Sequence, residues 1–147
     1  MELIKKNIHM DRIKCKASTQ VTLEDDRNVP DQKPDMNRII LHRGEVKTEE
    51  IKTEENRVNV KGRLSLRILY VTEEGTVSRM EGQIPFEEQI YAEGVENGDN
   101  VEVRPELEDL SLDMINSRKL SVRALLSLNI FAEELYDEEM AVELYHD

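Results

Sequence analysis

The sequence predicts an all-β, mainly antiparallel domain built as a β-sandwich, with a small closed barrel as the alternative. Two observations carry that expectation. Long segments alternate apolar and polar side chains with a period of two, which gives each strand one dry face and one wet face. Turn-forming clusters separate these segments, and no long helical pattern lies between them, which favours stacked sheets.

The clearest strand is RVNVKGRLSLRILYV, residues 57–71. Val58, Val60, Leu64, Leu66, Ile68 and Tyr70 share one parity; Arg57, Asn59, Lys61, Arg63, Ser65 and Arg67 share the other. Gly62, on the apolar parity, marks a bulge or a close backbone approach. Glu74-Gly75 reads as a hairpin turn with a return strand over residues 76–83, and Pro85 ends that ladder or marks an edge. After a turn at VENGD, residues 95–99, Val101, Val103, Leu110, Leu112 and Met114 read as one strand interrupted at Pro105. Beyond the NSRK turn, LSVRALLSLNI at 120–130 alternates cleanly, with Leu120, Val122, Ala124, Leu126, Leu128 and Ile130 inward. Residues 13–23 and 45–51 are also read as strands.

Two segments fit a helix. Asp35 can cap MNRIILHRG, where Met36, Ile39 and Ile40 fall at helical spacing and Gly44 follows. A short helix over residues 34–42 is therefore expected. Residues 133–147 fit an amphipathic helix or a linker. The expected organisation is one β domain over residues 1–137 and a C-terminal tail or linker over 138–147.

The 147 residues carry 32 acidic and 20 basic side chains, a net charge of −12. That sign opposes general binding to nucleic acid or anionic lipid. With 4% aromatics and no tryptophan, stacking platforms for bases are not expected either. No run approaches the ~18 apolar residues of a membrane span, and residues 1–12 lack the apolar core of a secretory signal. The single cysteine, Cys15, can form no internal disulfide, which suits a reducing cytoplasm.

No catalytic motif is present: no G-x-S-x-G, no G-x-G-x-x-G and no phosphate-binding loop. His9, His42 and His146 have no metal-ligand spacing, so no metal or cofactor is expected. The stretch VPDQKPD, residues 29–35, invites two readings. Asp31 and Asp35, with Asp25 or Asp26, could hold a cation or small ligand, but the segment lacks the ligand order and glycine of a calcium loop. The favoured reading is a stiff corner in which Pro30 and Pro34 fix an extended path into a helix capped by Asp35. The basic row Arg57, Lys61, Arg63 and Arg67 is either a solvated face paired with neighbouring acids or a receptor for an acidic partner.

Four stretches in order, TQVTLEDDRNVPDQKPDMNRII, NRVNVKGRLSLRILYV, GQIPFEEQI and LEDLSLDMINSRKLSVRALLSL, resemble the SPOCS domain family of clostridial spore-coat assembly proteins. The likeness spans roughly residues 3–137 and is greatest to the N-terminal such domain of SipL-type spore morphogenesis proteins. It implies a non-enzymatic structural role in coat assembly, in the mother-cell cytoplasm at the forespore surface. It also implies spore coat morphogenesis proteins as partners, among them the forespore-surface ATPase, or self-association. Family members carry repeated SPOCS domains and a LysM module tied to that ATPase. This chain shows neither, so a domain-length fragment is expected, with accessory contacts or self-association ahead of direct ATPase binding. The interaction candidates are Pro30, Asp31, Pro34 and Asp35 of the corner, and the row Arg57, Lys61, Arg63 and Arg67.

Overall fold

The computed structural model describes residues 11–135, and within them every regular element is a strand. The strands are β1 (Asp11–Asn28), β2 (Met36–Glu54), β3 (Arg57–Thr72), β4 (Val77–Tyr91), β5 (Asn100–Asn116) and β6 (Lys119–Leu135). They form two antiparallel three-stranded sheets, β1-β6-β5 and β2-β3-β4, stacked as a sandwich and not closed into a barrel. The sheet class followed from the alternation and the β3–β4 hairpin from its turn at Glu74-Gly75; the pairing of the other strands needs the register.

The two strands with the strictest alternation, β3 and β6, are the central strands of the two sheets. A central strand has no free edge, and its inward residues meet the opposite sheet. Leu64, Leu66, Tyr70, Leu120, Leu126, Leu128 and Ile130 are accordingly all but inaccessible. Gly62 sits where β3 meets the inward Phe86. A Cβ there would lie 2.5 Å from the Lys47 carbonyl oxygen and 2.6 Å from Phe86 Cζ, so the close approach read from the sequence is real.

The expected helix over residues 34–42 does not form; that segment is the start of β2. The cause is two extra residues. Register shifts fall between Met36 and Arg38 and between Ile39 and Leu41. Each bulge stretches the spacing of inward residues from two to three. Met36, Ile39 and His42 therefore face the partner-strand residues Thr72, Tyr70 and Ile68, and imitate a helical repeat. β5 shows the same effect. It runs through Pro105, which pairs with Leu128, and changes phase instead between Leu107 and Asp109. Pro85 and Pro105 both lie in edge strands, where a missing N–H breaks no internal ladder.

The sheets are joined by two crossovers at opposite ends of the sandwich. Residues 29–35 lead from β1 to β2, and residues 92–99 lead from β4 to β5. Along the flanks, β2 lies beside β5 and β1 beside β4. His42 Nε2 lies 3.1 Å from the Leu110 carbonyl oxygen on the first flank. On the second, Arg27 crosses from β1 to donate to the Gln83 carbonyl while its Nε lies 2.8 Å from Asp25. The expected helix or linker over 133–147 lies almost wholly outside the described residues; β6 itself continues to Leu135.

Candidate functional site

The VPDQKPD corner is held by an arginine far from it in the chain. Arg118, from the β5–β6 turn, donates to the carbonyls of Lys33 (2.7 Å), Pro30 (2.9 Å) and Val29 (3.3 Å). It also donates to Asp35 Oδ1 at 2.8 Å. Main-chain bonds run beside it: Val29 N to the Arg118 carbonyl and Met36 N to the Ser117 carbonyl, each 2.8 Å. The buried Tyr70 donates its hydroxyl to the Pro34 carbonyl at 2.9 Å. Asp35 is thus an ion-pair partner and not a helix cap. The physical signal was present: two prolines give the corner carbonyls but no N–H groups, so donors must come from elsewhere, and a guanidinium offers five. Sequence distance hid the pairing.

The four aspartates of the cation-binding reading point to different partners. Asp25 meets Arg27, Asp26 lies 3.8 Å from Lys119, Asp35 meets Arg118, and Asp31 is exposed at the corner's tip. Among the described residues no three His, Cys, Asp or Glu side chains converge as metal ligands would. His9 and His146 lie outside the described residues.

The basic row lies along the outer face of β3, in the middle of its sheet. Its members differ. Lys61 lies 3.6 Å from Glu50. Arg63 pairs with Glu49 and donates to Gln83 at 2.8 Å. Lys52, and less strongly Lys61, hold the Glu50 carboxyl below the usual glutamate range. Arg57 and Arg67 have no ion-pair partner among the described residues.

Arg67 has a cross-strand neighbour that sequence reasoning missed. In register it faces Arg43 of β2, and Arg43 also lacks an ion pair among the described residues. Like charges directly opposite each other destabilise a sheet, so this pair is held at a cost to the isolated domain. An open depression of about 470 Å3 lies beside it, lined in part by Arg43, Glu45, Lys47, Ser65, Arg67 and Glu81, the last in register with Arg67 across β3 and β4. Leu41 and Val77, 58% and 64% exposed, stand at the corner end of the same face. Tandem bulges in β2 turn Ile40 and Leu41 outward, and this is why their apolar character could not be assigned to a face from spacing.

The outer face of the other sheet has the opposite character. Its ion pairs, Glu24–Arg123 at 3.6 Å, Asp26–Lys119 at 3.8 Å and Glu102–Arg104 at 3.1 Å, are local. Arg104 also lies over the Phe131 ring, 4.7 Å from its centroid, and the Glu102 carboxylate raises its pKa further. On β5, Glu106, Asp109 and Asp113 are exposed and have no cation among the described residues. The sandwich therefore carries Arg43, Arg57 and Arg67 without ion pairs on one broad face, among acids that include Glu81 in register beside Arg67, and Glu106, Asp109 and Asp113 without ion pairs on the other, among the described residues.

Residues 35–115 match the family described as SipL, SPOCS domain. The chain belongs to the SipL SPOCS-domain family. Its place in that family implies a role in spore coat assembly, with coat morphogenesis as the setting in which partners are to be sought, and suggests a non-enzymatic role. The matched stretch holds β2 to β5; β1, β6 and the corner up to Pro34 lie outside it. No curated protein and no solved structure matches the chain.

Proposed function

We propose that this SPOCS domain is a non-enzymatic docking module of coat assembly, acting in the mother-cell cytoplasm at the forespore surface. Its working surface is the outer face of β2-β3-β4. The observation that carries the reading is the register pair Arg43–Arg67, two exposed guanidiniums opposite each other, neither in an ion pair among the described residues, with Glu81 of β4 in register on the far side of Arg67. A sheet that served only to enclose a core would be more stable with an acid at either position. Arg57, Lys61 and Arg63 extend the row, and the exposed Leu41 and Val77 add apolar contact at its corner end.

The partner surface is acidic and belongs to a coat morphogenesis protein or to another copy of the chain. The forespore-surface ATPase is one candidate among them. The corner with Pro30, Asp31, Pro34 and Asp35 acts here as scaffold, with exposed Asp31 as its one free carboxylate. Residues 1–137 are the working domain and 138–147 a tail or linker.

The test is co-purification from sporulating cells with the full chain as bait, wild type against Arg43→Glu/Arg67→Glu. Retained coat proteins should fall at least ~10-fold in the variant, since each charge reversal turns an attraction into a repulsion. Equal recovery by both baits rules out this face.

A further inference from the structure

The two broad faces are patterned as counterparts of each other. On β3 the outward residues Arg67, Ser65 and Arg63 follow at every second position. On β5 the outward residues Asp109, Ser111 and Asp113 do the same. In each triad the two charges are four residues apart, about 13 Å at the usual rise of a strand, with a short serine between them. The middle rows are also opposed in sign. Glu45 stands in register beside Ser65, and Arg123 stands beside Ser111. One face thus reads cation, gap with a carboxylate at its side, cation, with Glu49 paired to Arg63 and Glu81 in register beside Arg67; the other reads carboxylate, gap with a cation at its side, carboxylate, with Glu24 paired to Arg123.

From this we infer that a second copy of the chain is an occupant of the basic face: the outer face of β1-β6-β5 of one copy stacks on the outer face of β2-β3-β4 of the next. The inference rests on the docking role proposed above and names its partner. Because the two surfaces lie on opposite sides of the sandwich, the contact is heterologous and each copy keeps one face free, so stacking propagates as an open array. The net charge of −12 opposes approach at long range. Salt near 0.1 M screens that repulsion beyond about 10 Å, leaving the charges at the contact to decide. Exposed ion pairs are individually weak, so the single contact is weak and its strength comes from repetition.

The experiment is sedimentation of the full chain and of two face variants, Asp109→Lys/Asp113→Lys and Arg43→Glu/Arg67→Glu. Wild type should form species larger than dimers as concentration rises, and its association constant should fall at least ~10-fold between about 0.1 and 0.5 M salt. Each variant alone should stay monomeric. An equimolar mixture of the two should associate again, because one variant then presents only basic faces and the other only acidic ones. Arg43→Lys/Arg67→Lys, which keeps the charge, should associate within ~3-fold of wild type, and unchanged thermal melts establish that the variants fold. A monomeric wild type, or variants that associate as well as wild type, overturns the inference. So does loss of association on Asp137→Lys/Glu138→Lys/Glu139→Lys with Asp109→Lys/Asp113→Lys still associating, because the tail would then be the occupant. Failure of stacking with coat-protein recovery still dependent on Arg43 and Arg67 removes this inference alone; loss of that dependence removes the docking role as well.

Discussion

Both ends of the sandwich must carry the chain from one sheet to the other, and they do so by different chemistry. At the corner end, residues 29–35 surround a cation: Arg118 alone serves three carbonyls and a carboxylate. At the far end, residues 92–99 surround a neutral residue. Asn56, at φ 58°, donates its N–H to the Val95 carbonyl and accepts from Ala92 N through its own carbonyl, at 2.8 and 2.9 Å. Its side-chain oxygen accepts from Gly94 N at 2.9 Å. Two prolines strip donors from the first crossover, so a side chain must supply them. The second keeps its N–H groups and needs only an acceptor in the right place. Both ends keep main-chain bonds, and a crossover's composition decides whether the side chain added to them must donate or accept.

That contrast can be tested from its core outward. Leu66→Asp places an unpaired charge between the sheets and should remove both ends together, costing more than ~4 kcal/mol and leaving no cooperative thermal transition. Arg118→Ala should cost about 2–3 kcal/mol by denaturant titration, because four acceptors lose a charged donor at a half-exposed site. Asn56→Ala should cost less, about 1–2 kcal/mol, since the main-chain bonds survive while the left-handed backbone is strained and one acceptor is lost. A loss at Asn56 as large as that at Arg118 would remove the distinction between the ends.

The smallest effect should appear as pH dependence at the far end. Asp99 accepts from Glu96 N and pairs with Lys14, each at 2.9 Å. The backbone donor first, and the ammonium second, lower its pKa. A depressed folded pKa gives stability that is present above the unfolded value, near 3.9, and is lost as pH falls through the folded value. Asp99→Asn should therefore lower Tm at pH 7 and converge on wild type as pH drops below about 4. A constant difference between the two melting curves would assign the effect to packing instead.

The strands β3 and β6 were legible because a central strand with one buried side must alternate without interruption. The start of β2 was misread as a helix, and the break in β5 was placed at Pro105, for the same physical reason in reverse. Extra residues at Asn37, Ile40 and Glu108 shift the phase, and a pattern of twos becomes a pattern of threes. The corner's scaffolding character followed from Pro30 and Pro34, but its fastener could not be found by local reading because Arg118 is 83 residues from Asp35. The basic row was visible along β3. Its like-charge neighbour Arg43 needed the register of a bulged strand, which local sequence does not fix.

Pro85 and Pro105 sit on the outermost strands of different sheets, one on each flank of the sandwich. Proteins that build a shell crowd against their own copies, the condition under which open β ladders zip together into fibres. A ring nitrogen with no hydrogen to give interrupts that zipper on one edge strand of each flank, while β1 and β2 carry no proline. Growth through the broad surfaces stays available, while two of the four open edges resist the pairing from which amyloid would begin.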